Sequence, residues 1–370
     1  MRSALLFIAL MLSLPNAGAD PQPLAGFNDP SGDDFGAGNL AYPNRDDYQA
    51  GDLDLLQLKI DRDASGYWFE AKFRNAIRNP GNVQNTVGND SLADFARKGF
   101  YQFNLDIYVD TDRINGSGNV FTLPGRKVQI DPAYAWEKVM VLTPRPELMR
   151  QQLLDALHEQ FPARADAEIA AVVDQSIFFP SRIKVRGKSV SFLVPASFFA
   201  GSDGSDWAVT ALVTGAITAI PADFSFLPAT KSVLERLQLG VMQPVPGHPI
   251  GTFGYGGAGA SPVVDLLGED AQQQAQLEAM TGLTGVAWGA HAQGAAASDP
   301  SAVPVMTIDR LFLPRDQAAK PAASTPADAS PAADKPSIVQ RMQTLQKLFD
   351  QKLIDEDEYK QQKQRILQEL

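Results

Sequence analysis

An alternation of apolar and mostly polar residues over 101–110 is the sequence feature that most constrains the fold. Apolar residues occupy every second position: Tyr101, Phe103, Leu105, Ile107 and Val109. Side chains alternate between the two faces of a β-strand, so a period of two predicts a strand with one buried face. The same pattern recurs over 56–60 and 67–73, on either side of a polar turn, and predicts a β-hairpin.

Further short apolar segments indicate that most of the chain is β-structure. They lie at 139–142, 189–194, 207–213 and 305–313. Strands of this number and length bury one face each when two sheets pack together. The sequence therefore predicts a mainly β domain, a two-sheet antiparallel β-sandwich spanning residues 20–314.

One helical insertion interrupts the strands. Leu153, Leu157 and Phe161 share one face of a helix. After Pro162, the apolar residues of 169–173 continue at helical spacing. We expect two antiparallel helices packed on the rim of the sandwich.

The N-terminus has the features of a secretory signal peptide. Arg2 precedes an apolar segment at 4–14, Pro15 ends that segment, and small residues at 17–19 suit the cleavage position. We predict removal of residues 1–19 and a periplasmic or extracellular location. The apolar segment is too short to span a membrane, and no later segment reaches the roughly 18 apolar residues that a span requires. We expect no integral membrane segment after cleavage.

Composition limits the classes of function. The chain has no cysteine among its 370 residues, which excludes a disulfide scaffold and thiolate metal sites. A secreted protein without disulfides relies on core burial or on bound ions for its stability. The formal net charge of −11 argues against a nucleic-acid-binding surface.

Beyond the sandwich, the sequence predicts a linker and a small helical module. Residues 315–336 are rich in Ala, Pro, Ser, Thr and Asp, which is typical of an extended linker. Residues 337–370 contain two capping boxes followed by apolar residues at helical spacing, and predict two helices. The segment 345–367 resembles the SHOCT short C-terminal domain. Two helices this small leave apolar surface exposed, so we expect them to bind a protein partner or to mediate self-association.

Two groups of carboxylates are candidate calcium ligands: Asp29, Asp33 and Asp34 in the first, and Asp106, Asp110 and Asp112 in the second. The first group lies in a glycine-rich loop, where three like charges repel one another unless a cation or backbone N–H groups balance them. The second group follows alternate positions at the end of a strand, from which side chains project on the same side. The alternative interpretation of both is a solvated loop rich in Asx turns. We predict calcium as the cofactor.

Two motifs indicate a family. Residues 29–43, with the sequence DPSGDDFGAGNLAYP, and residues 105–112, LDIYVDTD, resemble the C-terminal domain family of glucodextranase. Weaker similarity extends over most of 27–314. The family is a carbohydrate-binding-like β-sandwich related to DOMON-type domains. The resemblance implies an accessory module or a stand-alone extracytoplasmic protein that binds glycan.

Trp68 is the candidate sugar-binding residue. It falls on the polar face of its predicted strand, and an exposed indole suits the apolar face of a pyranose. The sequence contains no nucleophile elbow, HExxH or Walker signature, so we predict no catalytic activity.

Two alternatives of other classes remain open. The first is a haem-binding, DOMON-like electron-transfer domain, with Met280 and His291 as the candidate axial ligands. The second is a structural assembly protein that acts through its C-terminal helices.

Overall fold

The computed structural model describes residues 20–79, 86–87, 90–91, 97–199, 202–217, 233–247, 251–257, 259–268 and 270–289. All of them belong to Met1–Ala318, the first of the two units into which the chain divides. The predicted signal peptide, the linker, the C-terminal helices, the strand at 305–313 and His291 lie outside the described residues.

The described strands are, in chain order, β1 (Gln22–Asn28), β2 (Leu40–Ala41), β3 (Leu55–Asp63), β4 (Gly66–Phe73), β5 (Thr86–Val87), β6 (Asp90–Ser91), β7 (Phe103–Asp110), β8 (Lys138–Leu142), β9 (Ile177–Phe178), β10 (Ile183–Arg186), β11 (Ser189–Pro195), β12 (Ala208–Gly215), β13 (Val245–Pro246), β14 (Gly254–Tyr255), β15 (Val263–Leu266) and β16 (Val286–Ala287). The described helices are α1 (Pro146–Gln160), α2 (Asp166–Ser176), α3 (Val233–Arg236) and α4 (Asp270–Ala279), with 3₁₀ turns at Pro132–Tyr134 and Ala196–Phe199.

Two larger sheets form the framework. The first contains five antiparallel strands in the order β1-β3-β4-β11-β10. The second has the order β15-β12-β7-β8-β9, with β16 also paired to β12, and only its β8–β9 pairing is parallel among the described strands. Two small sheets, β13-β14-β2 and β5-β6, accompany them. The predicted hairpin is confirmed as β3 and β4, and the strongest predicted strand is β7.

A hydrophobic core joins the facing surfaces of the two sheets. The buried residues of β4 that alternate along the strand, Phe69, Ala71 and Phe73, pack in the same cluster as Phe103 and Ile107 of β7. The prediction of a two-sheet sandwich is therefore confirmed. Burial of each phenylalanine or isoleucine side chain contributes about 1.5–3 kcal/mol to the stability of the fold, relative to leaving it in water.

A second core covers the opposite face of the second sheet. Tyr108 of β7 and Val139 of β8 pack there with Leu153 and Leu157 of α1 and Val173 of α2. The helical insertion was predicted correctly, but its predicted place on the rim is wrong. The helices lie on the sheet face because that face of β7 and β8 also carries apolar side chains that need cover.

This arrangement buries β7 on both faces. All of its residues are buried, including the polar side chains of Asn104, Asp106 and Asp110. The alternation in the sequence marked the face toward the first sheet, while the polar positions face the second core and not solvent. Within the described residues, no helix is long and apolar enough to cross a membrane.

Candidate functional site

The opening loop, residues 29–43, is fixed against β15 at the edge of the second sheet. The Gly36 N–H donates to the Val264 carbonyl over 2.8 Å. Gly36 has a φ of +58°, and a Cβ at this position would lie 2.8 Å from the Val263 carbonyl oxygen. Only glycine tolerates both the left-handed backbone and this close approach, so the motif glycine serves to seat the loop on the strand.

Gln273 of α4 holds the same loop from the other side. Its Nε2 donates to the Asp33 carbonyl over 2.5 Å, and its Oε1 accepts from the Leu266 N–H over 2.7 Å. Gln273 is only 1% exposed. This buried amide therefore links the opening loop, β15 and α4.

The loop brings carboxylates from separate parts of the chain together. One carboxylate oxygen each of Asp29, Asp33 and Asp265 lies within 4.8 Å of the others. Asp33 and Asp265 are buried, and Asp29 is half-buried. Asp265, at the centre of the short strand β15, was not among the residues predicted from the sequence.

Backbone N–H groups orient these side chains. Asp265 accepts from the N–H groups of Leu55 and Leu266 over 2.6 and 2.8 Å, and Asp29 accepts from the Gly268 N–H over 2.7 Å. Charge-assisted hydrogen bonds of this kind are shorter and stronger than neutral ones. They hold the carboxylates in place while leaving further lone pairs available.

Asp54, which is fully buried before β3, adds a fourth carboxylate to this region. Its Oδ2 accepts from the Gly32 N–H over 2.7 Å and lies 3.4 Å from Nη1 of the half-exposed Arg74. Burial raises the pKa of Asp54, and the nearby Asp34 carboxylate raises it further. We refer to Asp29, Asp33, Asp54 and Asp265 as the carboxylate cluster.

Burial also raises the pKa values of the other members. The pKa of Asp29 rises to about 8, mainly through desolvation and then through the charges of Asp33 and Asp54. The pKa of Asp265 is raised well above its ordinary value, first by burial and then by Asp29 and Asp33. These shifts reflect the cost of holding several negative charges close together in a buried site.

Asp34 does not join the cluster of ligand atoms, although the sequence predicted it there. It is buried, and its Oδ2 accepts from the Tyr42 hydroxyl and, over 2.7 Å, from the Gly51 N–H. Tyr42 in turn accepts from the Leu53 N–H over 3.1 Å. Asp34 therefore ties the opening loop to the segment that precedes β3.

The second predicted group is divided by the structure. Asp110 and Asp112 lie together with Glu137, with ligand atoms within 4.8 Å. Asp110 pairs with the buried Arg113 over 2.8 Å, and Glu137 accepts from the Thr111 N–H over 2.8 Å. Burial, followed by the charge of Asp112, raises the pKa of Glu137 to about 8.

Asp106, which the sequence predicts as a metal ligand with Asp110 and Asp112, lies apart from those two carboxylates and pairs with an arginine. Both oxygens of Asp106 accept from the guanidinium of Arg126, over 2.5 Å from Nε and 3.0 Å from Nη2. Both side chains are buried, and Arg126 also donates to the carbonyls of Pro124 and Leu239 over 2.9 Å. The charge of Asp106 is thus matched by a bidentate cation within the second core.

Trp68 lies on the outer face of the first sheet, as its alternation predicts. It is half-buried, whereas Tyr67 and Phe69 on either side are buried in the core. Its cross-strand neighbours are Asp61 and Leu193.

A second aromatic surface was missed in the sequence. Phe178, Phe179 and Phe198, with Ile177, line a cavity of about 430 Å³ whose other residues include Arg150 and Asp174. The two charged side chains are joined in a bidentate pair over 2.8 and 2.6 Å. We call this the phenylalanine cleft. The sequence patterns did not single out these phenylalanines, because no local pattern distinguishes a cleft from a core.

Comparison with known families identifies the fold. The model of the C-terminal binding module, SLH-like, of glucodextranase matches residues 24–282. The chain belongs to this family. The match covers the carboxylate cluster and, apart from the first two residues of β1 and the whole of β16, every strand of both sheets. It confirms the resemblance drawn from residues 29–43 and 105–112. The SHOCT-like and DOMON-type resemblances stay predictions. No curated protein matches the chain.

Sequence reasoning missed Asp54, Asp265 and Glu137. One signal for Asp265 was available, since it stands between apolar residues in the segment PVVDLL at 262–267. An ionisable residue within an apolar strand is buried on one face or the other, and buried carboxylates need hydrogen bonds, a cation or a proton. No comparable signal marks which distant carboxylates it meets.

Proposed function

We propose that this protein is a non-catalytic, extracytoplasmic module that recognises a carbohydrate. The observation that carries the proposal is membership of the glucodextranase binding-module family over 24–282. The predicted signal peptide supports a periplasmic or extracellular location, where polysaccharides are accessible.

The outer face around Trp68 is the proposed binding surface. The Trp68 indole donates to Asp63 Oδ2 over 2.7 Å, which fixes the orientation of the ring. Asp61 and Glu70 lie on the same face of the sheet, beside an indole that is only half-buried. An aromatic ring held rigidly next to polar side chains offers stacking for a pyranose and hydrogen bonds for its hydroxyls.

A glycan array followed by calorimetry tests this function. We expect at least one neutral glucan to bind, and Trp68→Ala to weaken its binding about tenfold, which corresponds to about 1.4 kcal/mol. Trp68→Phe, which keeps an aromatic ring, should retain more affinity. Melting temperatures should be similar for all three proteins, because the ring lies outside the sandwich core.

Other results would redirect the proposal. Loss of binding in Phe198→Ala, with Trp68→Ala unaffected, would place the ligand in the phenylalanine cleft. A Soret band in the purified protein, with no glycan bound on the array, would support the haem alternative.

A further inference from the structure

The carboxylate cluster joins parts of the fold that are distant in sequence. Asp29 and Asp33 come from the opening loop, Asp54 precedes β3 of the first sheet, and Asp265 lies on β15 of the second. A ligand held here would therefore connect the opening loop to both sheets.

Negative charge in the cluster exceeds the positive charge around it. Among the described residues, neither Asp29 nor Asp265 forms an ion pair. Arg74 reaches only Asp54, at 3.4 Å, and is itself half-exposed. By contrast, Asp106 has its own buried arginine, Arg126.

Two buried carboxylate oxygens of the cluster are unsatisfied among the described residues. Asp54 is 0% exposed, and its Oδ1 has no hydrogen-bond partner in the described structure. Oδ2 of Asp29 is buried and lacks one as well. An unsatisfied buried polar atom costs about 1–3 kcal/mol, and more when it is charged. The charges of Asp29 and Asp54 also act on each other, so one cation within the cluster would stabilise both carboxylates.

The geometry and chemistry suit calcium. Two oxygens bound to one Ca²⁺ at 2.3–2.6 Å can be at most about 5 Å apart. The oxygens of Asp29, Asp33 and Asp265 already satisfy this limit. All the donors are oxygens, which hard cations prefer and which zinc and copper sites rarely use alone.

We propose that Asp29, Asp33 and Asp265 bind one Ca²⁺ ion, with Asp54 adding negative charge beside it. The ion stabilises the opening loop on β15 and so stabilises the folded module. This stabilising role does not depend on the proposed glycan binding. It can be tested on its own, because the test measures the stability of the protein without sugar.

The test compares the melting temperature of the 370-residue chain after EDTA dialysis and after addition of CaCl₂ or MgCl₂ at pH 7.5. An ion that binds only the native state at 100 times its Kd should raise the melting temperature by about 5 °C or more. Calorimetry with CaCl₂ should show saturable binding. MgCl₂ should have a smaller effect, because Mg²⁺ requires a tighter octahedral shell.

Asp29→Asn is the decisive variant. Asparagine keeps an oxygen for the Gly268 N–H and places an amide at the unsatisfied position, so the loop can retain its conformation. We expect this variant to fold and to lose the calcium-dependent shift. Asp155→Asn, which removes an exposed charge from α1, is the matched control and should keep the shift.

Three outcomes would overturn the proposal. The first is the same melting temperature in EDTA and in calcium, with no heat of binding. The second is a full calcium shift in Asp29→Asn, and the third is loss of the shift in Asp112→Asn alone, which would move the site to the second group. If protons neutralise the cluster instead, Asp29→Asn should change stability equally with and without calcium.

Discussion

At the scale of single residues, Trp68 shows how a strand position and one hydrogen bond define a candidate ligand platform. Alternation places the indole outside the core, and Asp63 at the β3–β4 turn accepts its N–H. Partial burial acts to raise the pKa of Asp63, but hydrogen bonds from Trp68, Ser65 and Gly66 outweigh it and lower that pKa. The ionised form of Asp63 is therefore the one that orients the ring.

A pH titration of Trp68 fluorescence checks this relation. Because the folded pKa of Asp63 is depressed, the stabilising contact is complete above its ordinary value of 3.8 and is lost as the pH falls through the folded value. We expect the difference spectrum between the native protein and Trp68→Phe to change in that acidic range. In Asp63→Asn the change should be absent, and its persistence there would assign it to acid unfolding or to another tryptophan.

At the scale of elements, β7 places Asp106, one member of a buried ion pair, against the second core. Asp106 and Arg126 are both at most 1% exposed, and Arg126 additionally satisfies two backbone carbonyls. Removing one partner of a buried pair leaves the other charged and unpaired, whereas replacing both by apolar groups is often neutral.

Variants of this pair should therefore behave non-additively. We expect Asp106→Ala to destabilise the protein by about 3–5 kcal/mol. The double variant Asp106→Leu with Arg126→Met should recover a large part of that loss in a denaturant titration. Equal stability of the single variant and the native protein would mean that water or another group compensates Arg126.

At the scale of the whole molecule, local patterns predicted the strands that carry alternating or continuous apolar residues. β3, β4, β7, β8, β11 and β12 follow from such patterns, and so do the two helices of the insertion. β1 and β15 were not predicted, because β1 has mixed exposure and β15 has only four residues.

The site was predicted less completely than the fold. The sequence identified Asp29 and Asp33 as candidates, but it could not show that Asp34 is held by Tyr42 or that Asp106 meets Arg126. Nor could it show that Asp265 is the carboxylate that meets the opening loop. The contact of Asp34 with Tyr42 depends on the conformation of the opening loop, and those of Asp106 and Asp265 join separate segments of the chain. A local residue pattern contains no information about either.

The predicted C-terminal helices bear on the assembly of the molecule. Every buried residue of the two described cores lies between Leu40 and Leu283, so removing residues 315–370 takes away none of them. We expect truncation after Pro314 to leave the melting temperature of the sandwich within about 1 °C, since no residue of these cores is removed. The exposed apolar stripe predicted for residues 337–370 should at the same time mediate association, so light scattering should show a smaller mass per particle for the truncated chain. A truncated protein that keeps the oligomeric state of the 370-residue chain, or a 370-residue chain that is monomeric at every concentration, would contradict this role for the helices.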